Sequence, residues 1–122
     1  LSNVSKYLQR GHDLNGIKVI NFFVDEEINA SDLRDLVANV KGQSGTNPGV
    51  VVAGSISDQK VNVVVAVNDA GQKLNLNAGN ILKNVLAKLE GKGGGKADLA
   101  QGAGSKVSDA KSVIENIDGF IK

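Results

Sequence analysis

Six of the chain's fifteen glycines fall between Gly91 and Gly104, within the stretch EGKGGGKADLAQGAGSK that runs from Glu90 to Lys106. A glycine inside a regular element costs roughly 0.5–1 kcal/mol relative to alanine, because it surrenders the most backbone freedom on folding. A chain that collects this cost in one place is either leaving the segment free as a linker or bringing its backbone closer to something than a β-carbon permits. A linker needs an independent core on each side. Only eighteen residues follow Gly104, too few to bury a core of their own. The last helix must therefore fold back, and the glycine segment reads as a constrained loop inside one domain.

The rest of the chain supplies the elements that hold such a loop. Leu1, Val4 and Leu8 have helical spacing and Gly11 stops the run, so residues 1–14 read as the tail of an upstream helical segment and residues 15–122 as the globular domain. Ile17 to Val24 is β-branched and aromatic, and predicts a strand. Ser31 is placed to cap a helix, with Asp32 in its first turn and Leu33, Leu36, Val37 and Val40 on one face. After the loop KGQSGTNPG come two apolar runs, Val50 to Ile56 and Val61 to Val67, joined as a hairpin through Ser57–Lys60. The near-continuous VNVVVAV suggests a strand covered on both faces. Asn77 or a neighbour caps a helix carrying Ile81, Leu82, Val85, Leu86 and Leu89. Within the glycine segment, DLAQGA reads as a short edge strand. A last helix begins near Ser105 or Ser108 and carries Val107, Ala110, Val113, Ile114, Ile117 and Ile121. The expected fold is α/β: a single domain with a mixed β-sheet and helices packed on it, in the order β-α-β-β-α-(short β or glycine loop)-α.

Composition narrows the chemistry. Apolar residues make up 41% of the chain with one Tyr, three Phe and no Trp, so the core is aliphatic. The absence of Cys removes disulfides and thiolate metal sites and fits a reducing, cytoplasmic setting. No apolar run approaches the length of about eighteen residues needed to span a membrane, and no signal-peptide pattern opens the chain. Without such a signal, the sequons at Asn3-Val4-Ser5 and Asn29-Ala30-Ser31 are chance matches. A chain with no Met reads as a piece of a longer protein. Net charge is +1, but from Ile81 to Lys111 six lysines face only Glu90, Asp98 and Asp109, a local balance of +3 around the glycines. Such a patch is the smallest electrostatic footprint for a phosphate-bearing partner, and is equally the form of a solvated lysine face.

No catalytic constellation assembles. The Walker pattern G-x-x-x-x-G-K-S/T and the dinucleotide fingerprint G-x-G-x-x-G both fail, the latter because Lys96 stands at the third glycine position. His12, the one histidine, lies beside the stop of the first helix and makes neither a triad nor a metal site. Asp25-Glu26-Glu27 reads as a solvated turn. What remains is a glycine loop ahead of a helix N-terminus. Its bare amides suit an anion, with Lys92 and Lys96 adding charge, Gln101 and Ser105 donating, and Asp98 fixing the loop by accepting from its amides. The same glycines would also serve if they only satisfied tight positive-φ turns.

At GKGGGKADLAQGAG, preceded by NAGNIL and by GVVVAGSISDQKVNVVVAV, the chain resembles the C-terminal globular domain of alanyl-tRNA synthetases, a DHH-associated type also found behind DHH phosphoesterase domains. The similarity runs from about Gly16 to the end. Gly93, Gly94 and Gly95 match the family's glycine triplet, and Asp98, Ala100, Gln101, Gly102 and Gly104 match the positions after it. Lys96, Ala97 and Leu99 stand where the family has Arg, Pro and Met; Lys96 keeps the charge without the guanidinium fork. The resemblance implies a non-catalytic tRNA-binding module that docks the outer corner of tRNA and helps couple aminoacylation to editing. Its nucleic-acid-binding residues would be Lys92, Gly93, Gly94, Gly95, Lys96, Gln101, Gly102, Gly104 and Ser105. It implies no cofactor for this segment, ATP with magnesium and an editing-domain zinc elsewhere in the parent ligase, and partners in the parent's other domains. Residues 1–14 would end a helical segment that supports a homodimer. Two other readings stay open: the phosphate-binding half of a DHH-family phosphoesterase, and a dimerisation or scaffold domain.

Overall fold

A computed structural model describes residues 4–121; Leu1 of the first apolar stripe and Asn3 of the first sequon lie outside that range. The chain begins with a short helix α1 (Val4–Leu8) and a hairpin of β1 (Gly11–Leu14) and β2 (Ile17–Phe23). Helix α2 (Ala30–Gln43) leads to β3 (Gly49–Ser57) and β4 (Lys60–Val67), then to a short α3 (Asp69–Lys73) and to α4 (Ala78–Lys88). A second hairpin follows, β5 (Gly91–Gly95) and β6 (Leu99–Gly104), then a 3-10 turn (Val107–Asp109), α5 (Ala110–Glu115) and α6 (Asp118–Ile121). The six strands form one sheet in the order β1-β2-β3-β4-β6-β5. Only β2 and β3 are parallel, joined through α2, so the sheet is mixed and the α/β reading holds.

Two apolar layers sandwich the sheet, and β4 shows why VNVVVAV has so little polarity. Val61, Val63, Val65 and Val67 turn to the layer built with α4, α5 and α6, while Val64 and Ala66 turn to the layer built with α1 and α2. All six are fully buried, and each buried valine contributes roughly 1.5–3 kcal/mol. Asn62 is the one buried polar residue on this strand. Its amide donates to Ser57 Oγ at 2.8 Å, with longer approaches to Ser55 Oγ and the Ile28 carbonyl, which makes its burial tolerable. Asp58 and Gln59, at φ 52° and 65°, close the β3–β4 hairpin as the mirror-image two-residue turn that strand twist favours.

Several sequence expectations are corrected. The α2 cap is Asn29 and not Ser31: its side chain accepts from the Asp32 amide at 2.8 Å and starts the helix two residues earlier. The terminal helix is three pieces, because the Asn116 amide bonds back to Ser112 and Val113 and closes α5. Residues 4–14 are packed into the domain. Tyr7 is buried and stacks on Phe22 with ring centroids 4.1 Å apart, and β1 pairs with β2. The glycine segment is not a loop but a hairpin. Residues 99–104 form an inner strand, and Gly91–Gly95 takes the sheet edge outside it.

Candidate nucleic-acid interface

The glycines allow two backbones to lie against each other. A β-carbon at Gly93 would stand 2.6 Å from the Gln101 carbonyl oxygen, and one at Gly102 would stand 2.6 Å from the Lys92 carbonyl oxygen. Gly104 in turn abuts the end of α4, where a β-carbon would be 2.5 Å from the Leu89 carbonyl oxygen. No glycine between 91 and 104 occupies the left-handed region. The close approach that the sequence announces is thus largely of the chain to itself. Tight positive-φ turns have no part in it.

This arrangement decides which main-chain amides remain available. Lys96 donates to the Leu99 carbonyl across the turn at 2.9 Å. With Gly94 opposite Gln101 and Lys92 opposite Ala103, antiparallel alternation commits Lys92, Gly94 and Lys96 to the ladder. The same alternation turns the N–H groups of Gly91, Gly93 and Gly95 to the free edge, where Gly93 and Gly95 are exposed. Of the five glycine amides expected to receive an anion, Gly94 is consumed against β6, and Gly102 and Gly104 are consumed against β4 on the inner strand. Only Gly93 and Gly95 turn outward, in a row along the rim with Gly91, which was not among the expected residues.

Above the hairpin, on the side of α2, lies an open cleft of about 350 Å³ lined by Arg34, Gly94, Gly95, Lys96, Asp98, Leu99, Ala100 and Gln101. Leu33, Leu36, Val37 and Val40 are buried beneath α2, and this stripe leaves Arg34 exposed at the cleft. There its Nη1 donates to Gln101 Oε1 at 3.4 Å. Neither Arg34 nor Lys96 forms an ion pair with a carboxylate among the described residues. Of the six lysines from 81 to 111, Lys106 is held by Asp109 at 3.3 Å and Lys111 by Asp25 at 3.8 Å. The basic surplus around the hairpin therefore rests on Lys83, Lys88, Lys92 and Lys96.

The cleft gathers Gly94, Gly95, Lys96, Asp98 and Gln101 from the expected site. Lys92 and Gly93 border a separate depression beside α4, although alternation along β5 turns the Lys92 side chain to the α2 face with Gly94 and Lys96. Gly102 and Gly104 are packing positions against Leu86 and Leu89. Ser105 is tied through its amide to the Leu89 carbonyl at 3.0 Å, and the helix α5 beyond it packs on β2 and β3. Asp98 anchors the loop through its main-chain carbonyl, which accepts from the Val67 amide at 2.9 Å; no amide donates to its carboxylate among the described residues. Arg34 escaped the sequence reading because it lies sixty-seven residues from Gln101. Its one available signal is that it is one of two arginines in the chain, on the polar side of an amphipathic helix.

The described residues contain no cluster of His, Cys, Asp and Glu able to hold a metal ion, and no helix long and apolar enough to cross a membrane. What the cleft presents is a guanidinium, an ammonium, a carboxamide, one carboxylate from Asp98 and small residues that keep it open. Two cations against one carboxylate leave a positive surplus, which suits a phosphodiester anion.

Comparison with known proteins adds the relatives. The chain is 33% identical over 119 residues to the alanine–tRNA ligase of Corynebacterium jeikeium, covering 98% of this chain and 13% of that protein. It is 42% identical over 105 residues to the alanine–tRNA ligase of Mycolicibacterium gilvum, covering 85% of this chain and 12% of that one. The chain thus spans about an eighth of the length of these relatives. Among solved structures, the C-Ala domain of Aquifex aeolicus alanyl-tRNA synthetase superposes with a TM-score of 0.78 at 25% identity, covering 91% of this chain and 96% of that domain. A DHH-domain protein from a family of ribosomal proteins shares the fold at a TM-score of 0.60 and 20% identity, with 95% of this chain on 29% of that one. The DHHA1 domain model matches residues 16–122, and the chain belongs to the DHHA1 domain family.

Proposed function

We propose that this chain is the tRNA-binding C-terminal domain of an alanine–tRNA ligase, and that it acts without catalysing a reaction itself. The observation that carries the reading is the open cleft in which Arg34, Lys96 and Gln101 surround Gly94. Gly94 needs no glycine for the fold, since a β-carbon there would meet no atom within 4 Å. A bare position in a cationic cleft is room for a ligand's backbone. The resemblance to synthetase C-terminal domains supports tRNA as the ligand; on this reading the domain docks the outer corner of tRNA and helps present one tRNA to both the aminoacylation and editing sites. ATP, magnesium and the editing zinc belong to other parts of the parent ligase. Those parts are the domain's partners, together with a second protomer reached through the helical segment upstream.

No aromatic residue lines the cleft, so recognition proceeds through shape and phosphates in place of base stacking. Binding is accordingly weak for the isolated chain and falls with salt at a slope equivalent to about two or three phosphates. The test is titration of the 122-residue chain with a tRNA transcript across a salt series. Arg34→Ala and Lys96→Ala should each weaken binding and lower the slope by about 0.7–0.9. Unchanged affinity in the double variant would remove the cleft from the interface.

A further inference from the structure

We infer that the free edge of β5 accepts a strand from another polypeptide, an extended segment whose side chains alternate between acidic and apolar. This docking is independent of the tRNA reading, because it uses the rim of the sheet and not the cleft on the α2 face. β5 is an outermost strand, five residues long, about 13 Å from first to last residue at the usual rise. Antiparallel alternation commits Lys92 and Gly94 to β6 and turns both the N–H and the C=O of Gly91, Gly93 and Gly95 outward. The rim therefore alternates donor and acceptor. Phosphate oxygens only accept, so the rim carbonyls would repel them. A second peptide backbone repeats donor and acceptor at the same two-residue interval, and pairing satisfies both.

The two faces beside the rim select the side chains. Lys92, Gly94 and Lys96 share the α2 face. Both lysines are exposed, and neither is paired with a carboxylate among the described residues. An added strand sets alternate side chains beside them, where acidic residues form cross-strand pairs and basic ones are repelled. Its other side chains come over an open depression of about 390 Å³ on the α4 face, bordered by Gly91 and Gly93 from the strand and by Leu86 and Ala87 from the helix. No acidic residue lines that depression, and an apolar side chain entering it packs against Leu86 and Ala87. A second copy of this chain is a poor occupant. When two β5 strands pair antiparallel with their α2 faces together, every register centred on one of the five residues sets Lys92 opposite or diagonal to a lysine of the other copy. Like charges so placed destabilise the pairing.

The test uses the 122-residue chain and a synthetic peptide of alternating glutamate and valine, long enough to run the length of β5. Calorimetry reads the affinity, NMR reads amide hydrogen exchange, and circular dichroism melting confirms that each variant is folded. The peptide should bind and slow exchange at Gly91, Gly93 and Gly95, while Gly94, already bonded to β6, stays as it was. In antiparallel pairing, the more stable arrangement, the valine nitrogens face the rim. Methylating them should abolish binding, and methylating the glutamate nitrogens should not. Lys92→Glu should weaken binding about five-fold. Ala87→Arg, at an exposed helix position, should weaken it by filling the depression, although its added cation would tighten any attachment made by charge alone. The inference is overturned if the parent chain does not bind the peptide, if methylation of the valine nitrogens leaves binding intact, or if Ala87→Arg binds more tightly. It is also overturned if the three amides are protected without peptide, and increasingly so as protein concentration rises, because a second copy would then fill the edge.

Discussion

A β-carbon added at Gly93 would lie 2.6 Å from the Gln101 carbonyl oxygen, whereas one added at Gly94 would meet no atom within 4 Å. The two neighbours are glycine for different reasons. At Gly93 the obstacle is main chain, which cannot rotate away, so Gly93→Ala must spread the β5–β6 pair or distort its register. Overpacking of this kind costs about 1–3 kcal/mol. Gly94→Ala meets open space outside the left-handed region, so its stability should stay within about 0.5 kcal/mol of the parent. Its methyl group would nevertheless intrude into the cleft beside Arg34 and Lys96. Urea denaturation and tRNA titration of the two variants should therefore separate. Gly93→Ala should lose stability, and Gly94→Ala should lose affinity at unchanged stability. A stable Gly93→Ala would mean that the two strands lie further apart than their shared glycines allow.

Capping separates in the same way at the scale of the element. Asn29 accepts from the Asp32 amide at 2.8 Å, while Ser31, inside α2, takes no part in the cap. Asn29→Ala should cost about 1 kcal/mol, and Ser31→Ala should leave the thermal midpoint near its parent value. The reverse ranking would restore the later helix start. Both residues are good caps on composition, and the choice between them depends on where the chain leaves Ile28, which is buried against the sheet. Elements with a long apolar period were legible because that period is itself the cause of their burial. This holds for α2, α4, β3 and β4, whose stripes appear in the core as expected. Of the glycine hairpin, DLAQGA reads as a strand in the sequence, inner where an edge is expected, but β5 does not, since a strand is recognised by side chains that alternate and GKGGG offers almost none. What makes it a strand is its partner across the ladder, a tertiary fact. Arg34 was illegible for the same reason, because its place in the cleft depends on α2 lying over a hairpin far along the chain.

At the scale of the whole molecule, the described chain is closed at one end by a residue that the sequence set outside the core. Tyr7 stacks on Phe22 and lies under the cations of Lys6 and Arg10, at 5.5 and 5.4 Å from its ring centre. Burial raises its phenol pKa above the usual value, with the Glu26 and Asp25 carboxylates adding to the rise and Arg10 opposing it. A raised pKa in the folded state means that folding favours the neutral phenol. The stability this confers is fully present below the unfolded value of about 10 and is lost as pH climbs through the folded value. The denaturation midpoint of the parent should thus fall above about pH 10 more steeply than that of Tyr7→Phe, which keeps the ring stack and cannot ionise. Because Tyr7 is the chain's only tyrosine, phenolate absorbance reports it alone, and its titration should move down towards the ordinary value in denaturant. Equal alkaline slopes for parent and Tyr7→Phe would show that α1 does not hold this ring in the core. The residues before Gly16 would then be an appendage to the sheet, and the packing of Phe22 would have to be sealed by something else.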